Sequence, residues 1–352
     1  MSMKMAIIGM GGMAGWHFDN IKTQIKELEV VAGYDIEKET CARRAKEWGI
    51  RIYNSPEELY NDKEIELVLI ATPNDVHKDY SIKCMEAGKN VICEKPVTMN
   101  VAELEEVIKV RDKTGKFFSI HQNRRWDPDY ITVKKIMSEK LLRAPYTIKS
   151  SVHGSHRLYG WRGFLPNGGG LLLDWGVHLL DQILDLVDSP VVSTYGHLHS
   201  MPKSEVDDAF TVMLRFESGL TAVVDISTNS YIVEPRWRIS STEGTAIVED
   251  WEMKGRIVKQ ADPDEIDWTE TVIYTAAGPT RTMLPRPSET TEILDLPKAD
   301  ERSWIDYYKN VVDVLQNGAE QIVTAEQGLR VMKVIEAIFE SSRTGAAITE
   351  KI

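Results

Sequence analysis

The sequence predicts an α/β chain in two parts. An N-terminal Rossmann-type, doubly wound parallel sheet is followed by an α+β part with a large, open, mostly antiparallel sheet. Strand-like and helix-like runs alternate through residues 1–125, which is the signature of βαβ units. From residue 126 onward, strand-like runs follow one another with few helices between them, as in an antiparallel sheet. The length of 352 residues suits two domains of ordinary size. The expected division is 1–125 and 126–352.

The elements follow in order. An apolar run at 3–8 ends at glycine and reads as the first strand. Phe18, Ile21, Ile25 and Leu28 stand at helical spacing and predict a helix over 15–28. Residues 29–35 read as the second strand, and 38–49 as a helix stopped by Gly49. The run 66–72 is apolar enough for a central strand and ends at Pro73. Asn74 can cap a helix running to Gly88, and 90–94 is the next strand. Asn100 caps a helix through Lys113, and 117–122 is a further strand. Asp127 followed by Pro128 supplies an N-cap and a first helical residue. Strand-like runs come next, at 146–153, 191–199, 208–216, 220–227, 236–241 and 245–249. One helix, over 174–187, interrupts them. Residues 262–300 are rich in proline and acids and read as long loops, with room for short strands. Helices over 303–316 and 325–342 finish the chain, the last expected to pack back on the first sheet.

A formal charge of -12 with no basic tract argues against nucleic-acid and anionic-membrane partners. Cys41, Cys84 and Cys93 form no CxxC pair, which suggests a reducing compartment and no zinc site. The apolar run at the start is too short for a signal peptide, and no run approaches the roughly 18 apolar residues of a membrane span. A cytoplasmic protein is expected. His197-x-His199 and His153-x-x-His156 lack an acidic or cysteine ligand at a convincing spacing, so no metal is expected.

Gly9-Met10-Gly11-Gly12-Met13-Ala14 lies between the first strand and the first helix. In a dinucleotide fingerprint Gly9 permits the tight turn, Gly11 lets the backbone approach the phosphates, and Ala14 is small enough for helix–strand packing. The helix N-terminus then faces the pyrophosphate. Asp35 stands at the end of the second strand, where a carboxylate accepts from ribose hydroxyls and repels a 2′-phosphate. NAD is therefore expected, with NADP less favoured.

Glu94-Lys95-Pro96 ends the 90–94 strand, and ligands of such sheets bind at carboxyl ends of strands. Lys95 can place its ammonium beside a substrate oxygen; the alternative is a surface lysine in a loop. Gly168-Gly169-Gly170 precede Asp174 and His178, which stand at i and i+4 and share a helix face. Asp181, Gln182 and Asp185 continue this polar stripe. It is either solvated or, beside three glycines that suggest tight approach to something, part of a site. A histidine paired with a carboxylate can act as a general base near neutral pH.

These motifs together resemble the glucose–fructose oxidoreductase/inositol dehydrogenase (Gfo/Idh/MocA) family. Further matches are Ala71-Thr72-Pro73-Asn74 with His77, the run Gln122-Asn123-Arg124-Arg125-Trp126-Asp127-Pro128, Trp161-Arg162, and Ile335-Glu336-Ala337 with Glu340-Ser341. The resemblance spans essentially the whole chain. It implies hydride transfer between nicotinamide and a ring carbon of a sugar or cyclitol. It also implies a dimer or tetramer formed through the open sheet. By motif, Lys95 would orient the reacting oxygen, His178 would be the acid/base, and Asp174 would bind a neighbouring hydroxyl and support the proton relay. Gly9 to Met13 and Asp35 would hold the adenosine diphosphate part. Thr72, Pro73, Asn74, His77, Glu94 and Gln122 would line the ribose–nicotinamide part, with Ala71, Arg162 and Lys95 itself beside them. Arg124, His153, Trp161 and Arg162 would be pocket residues.

The expected function is thus NAD-dependent oxidation of a secondary hydroxyl on a sugar, glycoside or inositol. A second enzymatic reading keeps NAD bound while a glycoside is oxidised transiently. A non-enzymatic NAD or sugar sensor is the rival from another class, and the retained Lys95, Asp174 and His178 argue against it. Specificity would come from the pocket-facing strands, residues 153–167 and the 278–297 loop.

Overall fold

The structure is a computed structural model that describes residues 2–262, 274–279 and 288–352. The first sheet holds β1 (Met3–Ile8), β2 (Leu28–Tyr34), β3 (Arg51–Ile52), β4 (Leu67–Ile70), β5 (Asn90–Cys93) and β6 (Phe118–Ile120). Every pair is parallel and the order is β3-β2-β1-β4-β5-β6. The strand order reverses between β1 and β4, so their carboxyl ends open the crevice where such sheets bind ligands. β4 is buried at all of its residues, which accounts for its unbroken apolar sequence.

Helices α1 (Gly12–Gln24), α2 (Lys38–Trp48), α3 (Pro56–Asn61), α4 (His77–Glu86) and α5 (Val101–Thr114) connect these strands. The first helix starts and ends earlier than its apolar spacing suggested. Leu28, at the end of that spacing, is already the first residue of β2. Asn100 caps α5 by accepting from the Glu103 N–H. Ser55 accepts from Glu58 N–H with Pro56 following, a start signal the sequence reading passed over.

The second sheet is built from β7 (Pro145–His153), β8 (Val191–His199), β9 (Ala209–Phe216), β10 (Thr221–Ser227), β11 (Trp237–Ser241), β12 (Gly244–Val248) and β13 (Gly255–Gln260). A short hairpin, β14 (Tyr274–Thr275) and β15 (Gly278–Pro279), precedes the eighth strand of that sheet, β16 (Thr291–Leu294). The order is β16-β13-β12-β11-β7-β10-β9-β8, antiparallel except at β7–β10. The short strands allowed for within 262–300 are β14, β15 and β16; residues 263–273 and 280–287 lie outside the described residues.

Helix α6 (Pro128–Ser138) begins at Asp127 as expected, but Asp127 makes no side-chain cap. Its carboxylate accepts from Arg124 and the Trp304 indole instead. Helix α7 (Val177–Leu186) packs on β10. Helices α8 (Asp306–Asn317) and α9 (Ala325–Thr344) follow, and α9 contacts β8 and α7 of the second sheet and α5 and β6 of the first. A capping box at Thr324 and Gln327 starts α9. Beyond it, Ile348 and Ile352 exchange backbone hydrogen bonds with Thr194 and Val191 of β8, the outermost strand. Among the described residues no helix is long and apolar enough to cross a membrane.

The polar stripe of α7 is not solvated. Asp181 and Gln182 are buried. The Arg125 guanidinium donates to both Asp181 oxygens at 2.7 and 2.6 Å, and its NH1 reaches Asp185, the Ile322 carbonyl and Gln327 Oε1. One arginine therefore joins the end of the first sheet to α7 and α9.

Candidate active site

The glycine turn leaves β1 at Gly9, whose φ is +85°. A Cβ there would stand 2.7 Å from the Ala71 carbonyl oxygen, so the position demands glycine. At Gly11 and Gly12 a Cβ would meet nothing within 4 Å. The N-terminus of α1 carries no side-chain cap and no acid in its first turn, which suits an anion. Asp35 follows β2 and braces the turn: its Oδ2 accepts from Met10 N–H at 2.6 Å and its Oδ1 from Glu37 N–H at 2.9 Å. Ala14 is buried against the sheet and Met13 is exposed. Arg44, which the sequence did not single out, donates from α2 to the Met10 and Gly11 carbonyls, both at 3.1 Å.

At the carboxyl ends of β4 and β5, most polar atoms engage protein. His77 is buried and its ring nitrogens face the Pro96 and Thr72 carbonyls at 2.8 and 3.0 Å. Burial lowers its pKa, although both carbonyls oppose that. Asn74 donates to the Gly168 carbonyl at 2.8 Å. Thr72 Oγ1 and Asn74 Oδ1, next to Pro73, are buried and find no partner among the described residues. These two orphaned oxygens, with the open glycine turn, fit a bound dinucleotide.

Glu94 Oε1 accepts from His17 Nε2 at 2.7 Å and stands 2.8 Å from His121 Nδ1, while Oε2 accepts from Lys95 N–H at 3.1 Å. Burial would raise the Glu94 carboxyl, but His121 and His17 hold it well below the usual carboxylate range. Burial, then the neighbouring His121, lower the His17 imidazole to about 4, so it is neutral and accepts from the Tyr308 hydroxyl at 2.5 Å. These three buried groups have metal-ligand chemistry. Their contacts are shorter than the roughly 3.3 Å between two ligands around tetrahedral zinc with bonds near 2.0–2.1 Å. The cluster is hydrogen-bonded and braces the backbone of Lys95, which is joined to Pro96 by a cis peptide bond.

Lys95 Nζ donates to Oδ1 and to the backbone oxygen of Asp174, both at 2.9 Å. Arg162 Nε donates to the same Oδ1 at 3.1 Å. Burial pushes Asp174 up, but Lys95 and Arg162 outweigh it and hold the carboxyl low. His178 is buried and its Nδ1 lies 3.0 Å from Gln122 Oε1. An amide oxygen only accepts, so Nδ1 carries the proton and Nε2 presents a lone pair. Burial, then Lys95 and Arg124, lower its pKa well below that of an ordinary histidine.

The expected Asp174–His178 pair does not form. Residues Leu172–Gly176 make a π-helical turn before α7, so i and i+4 do not share a regular α-helical face. Asp174 turns to Lys95 and Arg162, and Gln122 orients the histidine. Nor is the glycine triplet needed for a ligand. A Cβ on Gly169 would stand 2.4 Å from the Arg162 carbonyl oxygen, and one on Gly170 2.2 Å from Asp207 Oδ1. The close approach is to the protein's own chain.

Asp207 is a second residue the sequence reading missed. It accepts from Leu172 N–H at 2.7 Å, and burial pushes its pKa up to about 6. A raised folded pKa gives stability that is present in acid and lost as pH rises through the folded value. Asp207→Asn keeps an acceptor for Leu172. It is expected to gain about 2 kcal/mol on the parent between pH 4 and pH 7, read by urea unfolding at both pH values. An unchanged difference would contradict this.

The other predicted pocket residues divide. Arg124 lies over the Trp175 ring at 4.2 Å, and Arg162 over Trp161 at 4.6 Å. His153 is not brought to this cluster. It faces Asp225 at 3.6 Å and accepts from Glu234 N–H at 3.3 Å. Asp225 alternates with the buried Val224 and Ile226 of β10, so His153 lies on the sheet face turned away from α7. His197 and His199 contact one another edge-on at 4.2 Å.

A parallel sheet with a glycine turn and terminal acid, set beside a large open sheet, is the architecture of an NAD(P)-dependent oxidoreductase. The family model described as oxidoreductase family, NAD-binding Rossmann fold, matches residues 3–122, and the Gfo/Idh/MocA C-terminal domain model matches residues 130–247. The chain belongs to the Gfo/Idh/MocA family. It is similar to scyllo-inositol 2-dehydrogenase (NADP(+)) of Bacillus subtilis (strain 168), with 30% identity over 297 residues, 82% of this chain and 79% of that protein. The scyllo-inositol 2-dehydrogenase (NAD(+)) of the same organism is 28% identical over 256 residues, 70% of this chain and 73% of that one. Among solved structures, an NAD-binding protein from Listeria innocua aligns with a TM-score of 0.88 and 39% identity, covering 99% of this chain and 97% of that one.

Proposed function

We propose that this enzyme oxidises a secondary ring hydroxyl of a sugar, glycoside or inositol with NAD, residues 1–125 serving the cofactor and 126–352 the substrate. The observation that carries the proposal is the buried, neutral His178, oriented by Gln122 beside a lysine that Asp174 holds. His178 Nε2 accepts the hydroxyl proton. Lys95 stabilises the oxygen as negative charge develops, and Asp174 with Arg162 keeps the ammonium in place. NAD, when bound, supplies the hydride acceptor, and the product is a ketone. Gly9 to Ala14 and Asp35 hold the adenosine end; Ala71 to Asn74 sit nearer the reacting end. The cytoplasm and a homodimer or homotetramer complete the reading. Tyr195 and Met213, paired and exposed on one face of β8 and β9, support the second of these.

The test is NADH absorbance with NAD and a panel of inositols, free sugars and glucosides, with Lys95→Met as control. NADH formation that survives the substitution would sink the assignment. A panel giving no NADH, with NAD(H) released on denaturation, would favour the reading in which NAD stays bound.

Two further results are expected. The acid limb of kcat/KM should fall below the pH of an ordinary histidine, because His178 must be neutral to accept a proton and its pKa is lowered. A limb at or above pH ~6.5 would contradict this. Asp35→Ser removes a charge that repels a 2′-phosphate. It should move the NADP-to-NAD ratio of kcat/KM toward NADP by about tenfold or more, since each 1.4 kcal/mol is about a factor of ten. An unchanged ratio would place cofactor choice elsewhere.

A further inference from the structure

A cavity of about 380 Å³ opens beside the catalytic cluster, between α1, the turn after β6 and residues 302–305. Its walls include the indoles of Trp16, Trp251 and Trp304, and its rim carries Asn20, Gln24 and Arg302. Arg124 joins this cavity to the site already described. Its guanidinium is 4.2 Å from the Trp175 ring, 5.3 Å from Trp304 and 5.8 Å from Trp251, and Trp175 stands edge-on to His178 at 6.4 Å. Arg124 NH1 donates to Asp127. Among the described residues no acceptor meets its Nε or NH2.

We propose that this cleft seats a second sugar ring, joined to the ring that is oxidised at Lys95 and His178; the proposal rests on the oxidation reading above. Indole faces pack against the C–H faces of a pyranose. Asn20, Gln24 and the two arginines offer donors and acceptors to its hydroxyls. Gln24 Nε2 already donates to Asn20 Oδ1 at 2.9 Å and Asn20 Nδ2 to the Trp16 carbonyl at 2.8 Å, so it is the Arg124 Nε and NH2 groups that a purely apolar occupant would leave unpaired on closing the cleft. The size is that of a small-ligand site, and Arg124 touches both halves. The preferred substrate is then a disaccharide rather than a free hexose or inositol.

Initial rates of NADH formation with maltose, cellobiose, trehalose and sucrose are compared with those for glucose and the methyl glucosides. At least one disaccharide is expected to exceed its monosaccharide by about tenfold in kcat/KM, the factor equivalent to 1.4 kcal/mol. Asn20→Trp fills the cleft from the surface of α1 and should erase that advantage, leaving the monosaccharide within about twofold. Gln24→Trp does the same one turn further along. Equal rates on both classes, or an advantage that survives both substitutions, overturn the proposal. Tryptophan fluorescence titrated with the same disaccharides gives a second readout that needs no turnover. If no sugar yields NADH and denaturation releases no NAD(H), the oxidation reading fails; saturable quenching lost in Asn20→Trp still supports the cleft, and absence of quenching sinks it.

Discussion

Lys95→Met is expected to lower kcat/KM by about 10²–10⁴-fold, the range for losing a group that stabilises charge or moves a proton in the transition state. Met keeps the unbranched stem, one atom shorter, and removes the ammonium that Asp174 holds at 2.9 Å. Arg162 stays on Asp174, so the carboxylate keeps a partner. The glycine turn, Asp35 and Arg44 make no side-chain hydrogen bond to Lys95. NAD affinity, read by NADH fluorescence, should therefore change little. A fall in kcat/KM that merely tracked lost NAD affinity would show Lys95 to be a cofactor residue.

Arg125→Met is expected to cost about 3–5 kcal/mol of stability, because it leaves the buried Asp181 carboxylate without its partner. Asp181 is 2% exposed and lies on both forks of the guanidinium. The same arginine holds Ile322 and Gln327 at the start of α9, so the loss should lower the unfolding midpoint of the whole chain. The double variant Arg125→Met with Asp181→Leu should recover part of it, since no charge is then stranded. Urea unfolding of the two variants decides the matter. A single-variant cost below about 1 kcal/mol, the range of exposed pairs, would mean that water reaches the pair.

What the sequence disclosed follows from range. The glycine turn, Asp35 and Lys95 were legible because strand-to-loop ends carry a local signature. The expected placement of β1, β2, β4, β5 and β6 rested on apolar runs bounded by glycine, proline or asparagine. Arg125 and Asp207 were not legible as site supports, because their partners Asp181 and Leu172 lie far along the chain. The Asp174–His178 pairing was misread because spacing alone cannot reveal a π-helical turn. His153 was misplaced because period-two alternation, unlike motif resemblance, decides which sheet face a residue takes. Strand β13 was passed over because it is half-buried at most positions, and β16, equally half-buried, was legible only as one of the short strands allowed among the loops. Their pairing partners supply the signal that their own residues lack.

The pairing of Ile348 and Ile352 with β8 has a consequence for how copies of this chain behave when crowded. β8 ends the second sheet, and a bare terminal strand is a template on which another chain can add by main-chain hydrogen bonds. The closing residues occupy the donors and acceptors of Thr194 and Val191. They act as a selvedge, the woven border that keeps a fabric from fraying. Trimming the chain after residue 347 would leave the hydride-transfer site untouched and uncover that border, so the cost would be paid in solubility rather than in catalysis.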